Sequence, residues 1–152
     1  MSGYSVTVQT ARGRGVACVR AHLPIRQVAR VFGDYLNQVY AAGRNGALPL
    51  DGQNIFVYRG TGAEVDVEFG VGVTAPFVAS GAVTYATLPV GEVATVTHWG
   101  DYARLGDAHG AILDWCQANG RATDGTRWEI YGHWQEGVTP RTDVYYLLKP
   151  AS

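Results

Sequence analysis

The chain repeats itself. Displaced by 77 residues, Tyr4–Arg44 lies on Gly81–Arg121 without a gap, and eleven of the 41 positions are identical. Among them are Val6/Val83, Thr10/Thr87, Val16/Val93, Val19/Val96, Gly33/Gly110, Leu36/Leu113, Gly43/Gly120 and Arg44/Arg121. Polar and glycine positions keep register as well as apolar ones, which favours duplication over two pieces that merely share secondary structure. The register then slips by four, so that Asn54–Tyr58 lies on Arg127–Tyr131, and returns to 77 at Asp66/Asp143. A period of this length is too long for a solenoid. It implies two copies of one module, about 4–71 and 81–148, in a single domain 1–152. A pseudo-twofold axis would place a shared groove between them.

Each copy reads β-β-α-β-β. Val-, Thr- and Cys-rich segments predict strands at Tyr4–Thr10 and Gly15–His22, then at Val83–Leu88 and Glu92–Trp99. A helical stripe follows in each: Ile25, Val28, Ala29, Phe32, Leu36, Val39 and Tyr40, then Tyr102, Leu105, Ala108, His109, Ile112, Leu113 and Cys116. Pro24 suits a first turn, Asp101 an N-cap, and Gly43 and Gly120 the C-terminal ends. Closing strands are expected at Ile55–Arg59 and Glu64–Val71, and at Trp128–Trp134 and Asp143–Leu148. Without βαβα alternation, this order predicts an α+β fold, an antiparallel sheet with helices on one face.

Strand alternation sorts the side chains. Val65, Val67, Phe69 and Val71 should pack on the helix, with Glu64, Asp66 and Glu68 facing water or a groove. Val144, Tyr146 and Leu148 should likewise point inward, away from Asp143, Tyr145 and Leu147. In the third strands, Ile55, Val57, Trp128 and Ile130 read as core. Phe56, Tyr58, Glu129 and Tyr131 would then line the groove. One carboxylate among aromatic rings favours a flat cation, through ring area, cation–π attraction and charge. The alternative is an ordinary solvated strand face.

Charge and composition narrow the classes. The formal net charge is −1 and no basic run exists, which argues against a nucleic-acid surface. No apolar run approaches the ~20 residues of a membrane span, and the N-terminus lacks a signal-peptide layout. GxSxG and HExxH are absent, and His22, His98, His109 and His133 are scattered, so neither a serine triad, a metal nor another cofactor is expected. His109 reads as a satisfied core histidine and His98 as a brace of the strand-to-helix turn. Trp115 and Trp134 read as packing residues.

Three segments of the second copy resemble a known family. The run Pro89–Tyr102, with His98, Gly100 and Tyr102 followed by Leu105, resembles the G-x-x-A-x-x-x-H-x-G-x-Y-x-x-L segment of GyrI-like effector-binding domains. Gly125–Tyr131 is similar to their W-E-x-Y segment, and Arg141–Tyr146 to their closing strand. Such domains form the C-terminal sensors of AraC- and MerR-type multidrug regulators and also occur alone. The resemblance implies two pseudo-symmetric modules around a central groove for aromatic, often cationic, drug-like molecules. Its characteristic acidic residue falls on Glu129, and its aromatic wall on Tyr58, Tyr131 and Tyr145, with Tyr102 beside them. Phe56 stands at the repeat position of Glu129, so the groove would be electrically asymmetric, and Trp99 would narrow its mouth.

The two modules account for residues 4–148, so a stand-alone cytoplasmic protein that does not bind DNA directly is expected, with a homodimer open. Three function classes follow from the resemblance. One is a binder of small molecules, perhaps sequestering or conferring resistance. Another is a hydrolase that opens strained cyclopropane rings of DNA-alkylating natural products, with Glu129 and Tyr131 as its catalytic pair. The third is a protein-binding inhibitor in the manner of the gyrase-inhibitory members. Cys18 and Cys116 sit at non-equivalent repeat positions and form no metal or disulfide pattern. Alkylation of denatured protein without reductant should therefore give two adducts by intact mass.

Overall fold

A computed structural model describes residues 3–151. Along the chain its elements are β1 (Thr7–Arg12), β2 (Gly15–Pro24), α1 (Val28–Ala42), β3 (Leu50–Arg59), β4 (Glu64–Val73), β5 (Thr84–Thr87), β6 (Val90–Trp99), α2 (Leu105–Ala118), β7 (Thr123–Tyr131) and β8 (Arg141–Leu148). The fold is α+β with antiparallel strands, and the β-β-α-β-β order occurs twice. No helix among the described residues is long and apolar enough to cross a membrane.

The chain forms two compact units, but the boundary between them does not fall between the repeats. One unit runs up to Arg12 and resumes at Pro89; we call it the split unit. The other, Gly13–Leu88, is continuous. The split unit orders its strands β1-β6-β8-β7, and the continuous unit β3-β4-β2-β5. The first strand of each repeat thus pairs with the second strand of the other: β1 with β6, Thr7 opposite Thr95, and β5 with β2, Tyr85 opposite Ala17.

Register decides what lies under each helix. In the split unit Val96 pairs with Val144, Ala94 with Tyr146, and Glu129 with Val144. Opposed residues share a sheet face. Ala94, Val96, Val144, Tyr146 and Leu148 form one core with Leu105, Ala108, Ile112 and Cys116 of α2. In the continuous unit Val19 and Phe56 both lie opposite Phe69, which stacks on Tyr35 of α1 at 4.7 Å. Gly70 lies between two strands: a Cβ there would meet the Ala17 and Ile55 carbonyl oxygens at 3.1 and 3.2 Å.

Several expectations need correction. Val19↔Phe69 corresponds to Val96↔Val144, so the closing strands are offset by 75 residues, not 77. The difference is even, so each side chain keeps its face. β7 ends at Tyr131 rather than Trp134, and Trp134 is exposed rather than packed. Ile55 and Val57 are buried, but Phe56 and Tyr58, not they, share the face that packs on α1. Leu113 belongs to the apolar stripe by spacing, yet it is 47% exposed while Ile112 is fully buried. Asp101 caps the 3-10 turn Tyr102–Arg104 that leads into α2, rather than α2 itself, accepting from the Ala103 amide at 2.9 Å. Gly43 closes α1, and Gly120 follows α2 with φ 64°, a left-handed turn that suits glycine.

Ile112→Ala should lower stability by about 2–4 kcal/mol, the range for emptying a packed aliphatic site. Leu113→Ala should change it by about 0.5 kcal/mol or less, as exposed substitutions do. Urea unfolding of the two variants separates them.

Candidate functional site

Residue 129 would be an odd place for an acid if only packing mattered. It lies mid-strand on β7, on the face under α2, and is 4% exposed. A carboxylate taken from water needs donors. Two are in place: Tyr131 donates its hydroxyl to Oε1 at 2.7 Å, and His109 of α2 its Nε2–H to Oε2 at 2.6 Å. The other imidazole nitrogen, Nδ1, accepts from the Tyr146 hydroxyl at 2.7 Å. A neutral His109 satisfies both bonds with its proton on Nε2. The result is a hydrogen-bonded line Tyr146–His109–Glu129–Tyr131 that spans α2, β7 and β8.

The Tyr146 phenol is pushed up to about 12, chiefly by burial, with Glu129 and Cys116 adding to it and Arg127 pulling against it. Tyr102, in the 3-10 turn before α2, meets the Tyr131 ring edge-on at 5.7 Å. Thr142 is fully buried opposite both His98 and Tyr131, and its hydroxyl has no hydrogen-bond partner among the described residues.

Within the split unit the structure gathers Glu129, Tyr131 and Tyr102 in one place. Tyr145 faces the opposite side of the sheet and stacks on the buried Trp128 at 5.4 Å, where Trp128 takes up the ring surface. Trp99 is also on that side, 60% exposed, with the Arg141 guanidinium 5.5 Å from its ring. Phe56 and Tyr58 belong to the continuous unit. Phe56 is buried against Phe69 and Phe32, at 5.4 and 5.8 Å. His98 braces the turn as its position suggests: Nε2 donates to the Asp101 carbonyl and Nδ1 accepts from the Tyr4 hydroxyl, both at 2.8 Å.

Sequence reasoning saw His109 as satisfied but missed what satisfies it. The signal was in the repeat: His109 aligns with Phe32, and Glu129 with Phe56. A helix–strand pair that is Phe/Phe in one unit is His/Glu in the other. Two polar changes at two contacting positions mark a coupled pair.

A second charged cluster lies in the continuous unit. Glu68 was expected to face water or a groove. Instead it is buried and clamped by the Arg20 Nε and the Arg59 Nη1, at 2.8 and 2.9 Å. His22 bonds Asp66 at 2.8 Å beside it. These residues, with Ala21 and Val67, line an open hollow of about 450 Å³. Its ionic groups are paired with one another, which makes it an ion-pair lattice that ties β2, β3 and β4 together.

No family profile and no curated protein matches the sequence. Solved structures do share the α+β fold. The C-terminal domain of EcmrR superposes with TM-score 0.75 at 18% identity, covering 99% of this chain and all of that one. This chain spans 58% of the EcmrR chain seen in its DNA complex. SAV2435, solved bound to tetraphenylphosphonium, gives TM-score 0.64 at 11% identity, over 95% of this chain and 94% of that one. A hydrolase from Listeria innocua gives 0.61 at 11%, over 95% and 91%. At such identities the likeness is one of fold.

The raised Tyr146 pKa has a stability consequence. An unfolded tyrosine loses its proton near pH 10, and folded Tyr146 near 12. Between those values the native state holds the extra proton, so stability should fall as pH rises through that window. Phenolate absorbance should show a late component that Tyr146→Phe removes.

Proposed function

We propose that the chain is a GyrI-like small-molecule-binding protein that takes aromatic, preferably cationic, drug-like ligands, with Glu129 as counter-charge. The observation that carries this reading is the buried carboxylate itself, hydrogen-bonded to Tyr131 and His109 and bordered by Tyr102. The fold does not require it, because the continuous unit packs Phe32, Phe56 and Tyr58 at the equivalent positions. A buried ion pair is commonly no better for stability than apolar side chains of similar size. A site that accepts that cost supplies charge to something that binds. The fold shared with a protein solved on tetraphenylphosphonium supports the same ligand class.

A second reading uses the same residues. Tyr131 and Glu129 are a hydrogen-bonded acid–base pair, the arrangement that ring opening by water needs: the carboxylate to take a proton from water and the phenol to donate one to the leaving atom.

Glu129→Gln distinguishes the two readings. For a binder, calorimetry should show tetraphenylphosphonium affinity falling by about 1–3 kcal/mol, the scale of a charged hydrogen bond or buried pair. The neutral analogue triphenylphosphine oxide should bind almost as before. Undiminished affinity for the cation would refute the role of Glu129. For a hydrolase, a strained-ring substrate should still bind the variant while its turnover drops by about 10²–10⁴-fold.

A further inference from the structure

We propose that the hollow on the face of the continuous unit's sheet away from α1 binds a small organic oxyanion, a carboxylate or a phosphate ester, through the guanidiniums of Arg20 and Arg59. This is a second site, built on other residues than the Glu129 pair and suited to ligands of the opposite charge.

The hollow, open to solvent, holds about 450 Å³, within the size range of small-molecule sites. Arg20 of β2, Arg59 of β3 and Glu68 of β4 line it together with Asp66 and His22. Glu68 stands on the strand between the two arginines and takes one on each carboxylate oxygen: Arg20 Nε at 2.8 Å on Oε2, and Arg59 Nη1 at 2.9 Å on Oε1. Each guanidinium is thereby fixed through a single nitrogen, which leaves over most of its N–H donors. The Arg20 side chain stays 62% accessible and that of Arg59 41%. A planar fork already held in place matches the two oxygens of an acid group and loses little freedom when it binds one.

The repeat separates this pair of arginines from what the fold needs. Glu68 corresponds to Asp143 under the 75-residue offset of the closing strands, and Arg20 to Thr97 under the 77-residue offset. Asp143 accepts from the Thr97 hydroxyl at 2.7 Å and from Nε of Arg141, on its own strand, at 3.2 Å. A hydroxyl suffices there at the position where the continuous unit carries an arginine. Around Glu68, by contrast, two cations converge from two neighbouring strands, one more than a single carboxylate neutralises.

The remaining charges set how the ligand is attracted. Asp66 and Glu64 bracket His22, with Nδ1 2.8 Å from Asp66 Oδ1 and Nε2 3.3 Å from Glu64 Oε1. The Asp66 hydrogen bond holds the imidazole protonated above its usual range, and Glu64 adds to this. While protonated, His22 offsets one of these two carboxylates, and the spare guanidinium offsets the other. The lattice is then close to neutral as a whole, so contact rather than net charge holds the ligand. Charge-assisted N–H···O bonds act at short range, whereas Asp66 is directed at His22 and opposes the anion from further away.

The test follows arginine Nε–H and backbone amide signals of the 15N-labelled full chain by NMR, at about pH 5.5, where His22 keeps its proton. The probes are benzoate, phenyl phosphate and the neutral benzamide. Saturable shifts centred on Arg20, Arg59 and β4 are expected with the anions, and the tighter of the two identifies the acid group; benzamide should give none. Arg59→Gln should weaken the tighter anion about tenfold or more, the loss of a charged hydrogen bond. Asp66→Asn, at an exposed position, should strengthen it about two- to fivefold, the scale of a solvent-screened charge. Equal shifts with benzamide, no saturable response to either anion, or unchanged affinity in Arg59→Gln each overturn the proposal. Should Arg59→Gln fail to fold, Asp66→Asn decides, and an affinity that does not rise overturns it.

Discussion

The organisation of the split unit depends on keeping a carboxylate out of water. Glu129 is nearly inaccessible, and such a charge persists only where hydrogen-bond donors meet it from fixed directions. Donors reach it from different elements, among them a strand tyrosine two residues along and a histidine from the covering helix. Their convergence requires that β7, β8 and α2 hold their relative register to within a fraction of an ångström. The apolar core of Ala94, Val96, Ile112, Val144 and Leu148 supplies that rigidity. Hydrophobic packing here positions an acid as well as stabilising the fold.

The two units apply one backbone plan to opposite chemistries. Under α1, Phe32, Phe56 and Phe69 fill the space with rings. Under α2, the positions of the first two carry an imidazole and a carboxylate. The continuous unit keeps its charges on the other face of its sheet, where Glu68 bridges Arg20 and Arg59. The side chains of those arginines are exposed, and their pairs close on themselves.

Much of this was legible in the chain because repetition doubles the evidence for each element. The helices, both hairpins and the Asp101 cap follow from periodicity and spacing, and so does the pairing of Glu129 with Tyr131 on one face. Two kinds of information were not legible. A two-residue slip in the closing strands is invisible to alternation, since an even shift changes no side chain's face. The partner of Glu129 was equally hidden, because His109 sits at a position whose spacing says only that it is covered.

The exchange of first strands has a consequence for dissecting the chain. Each opening strand precedes its own copy's second strand by a short turn, yet pairs with the second strand of the other copy. A fragment cut at the repeat boundary therefore carries one strand without its partner and lacks a strand that its sheet uses, whereas cuts after Arg12 and after Leu88 follow the compact units.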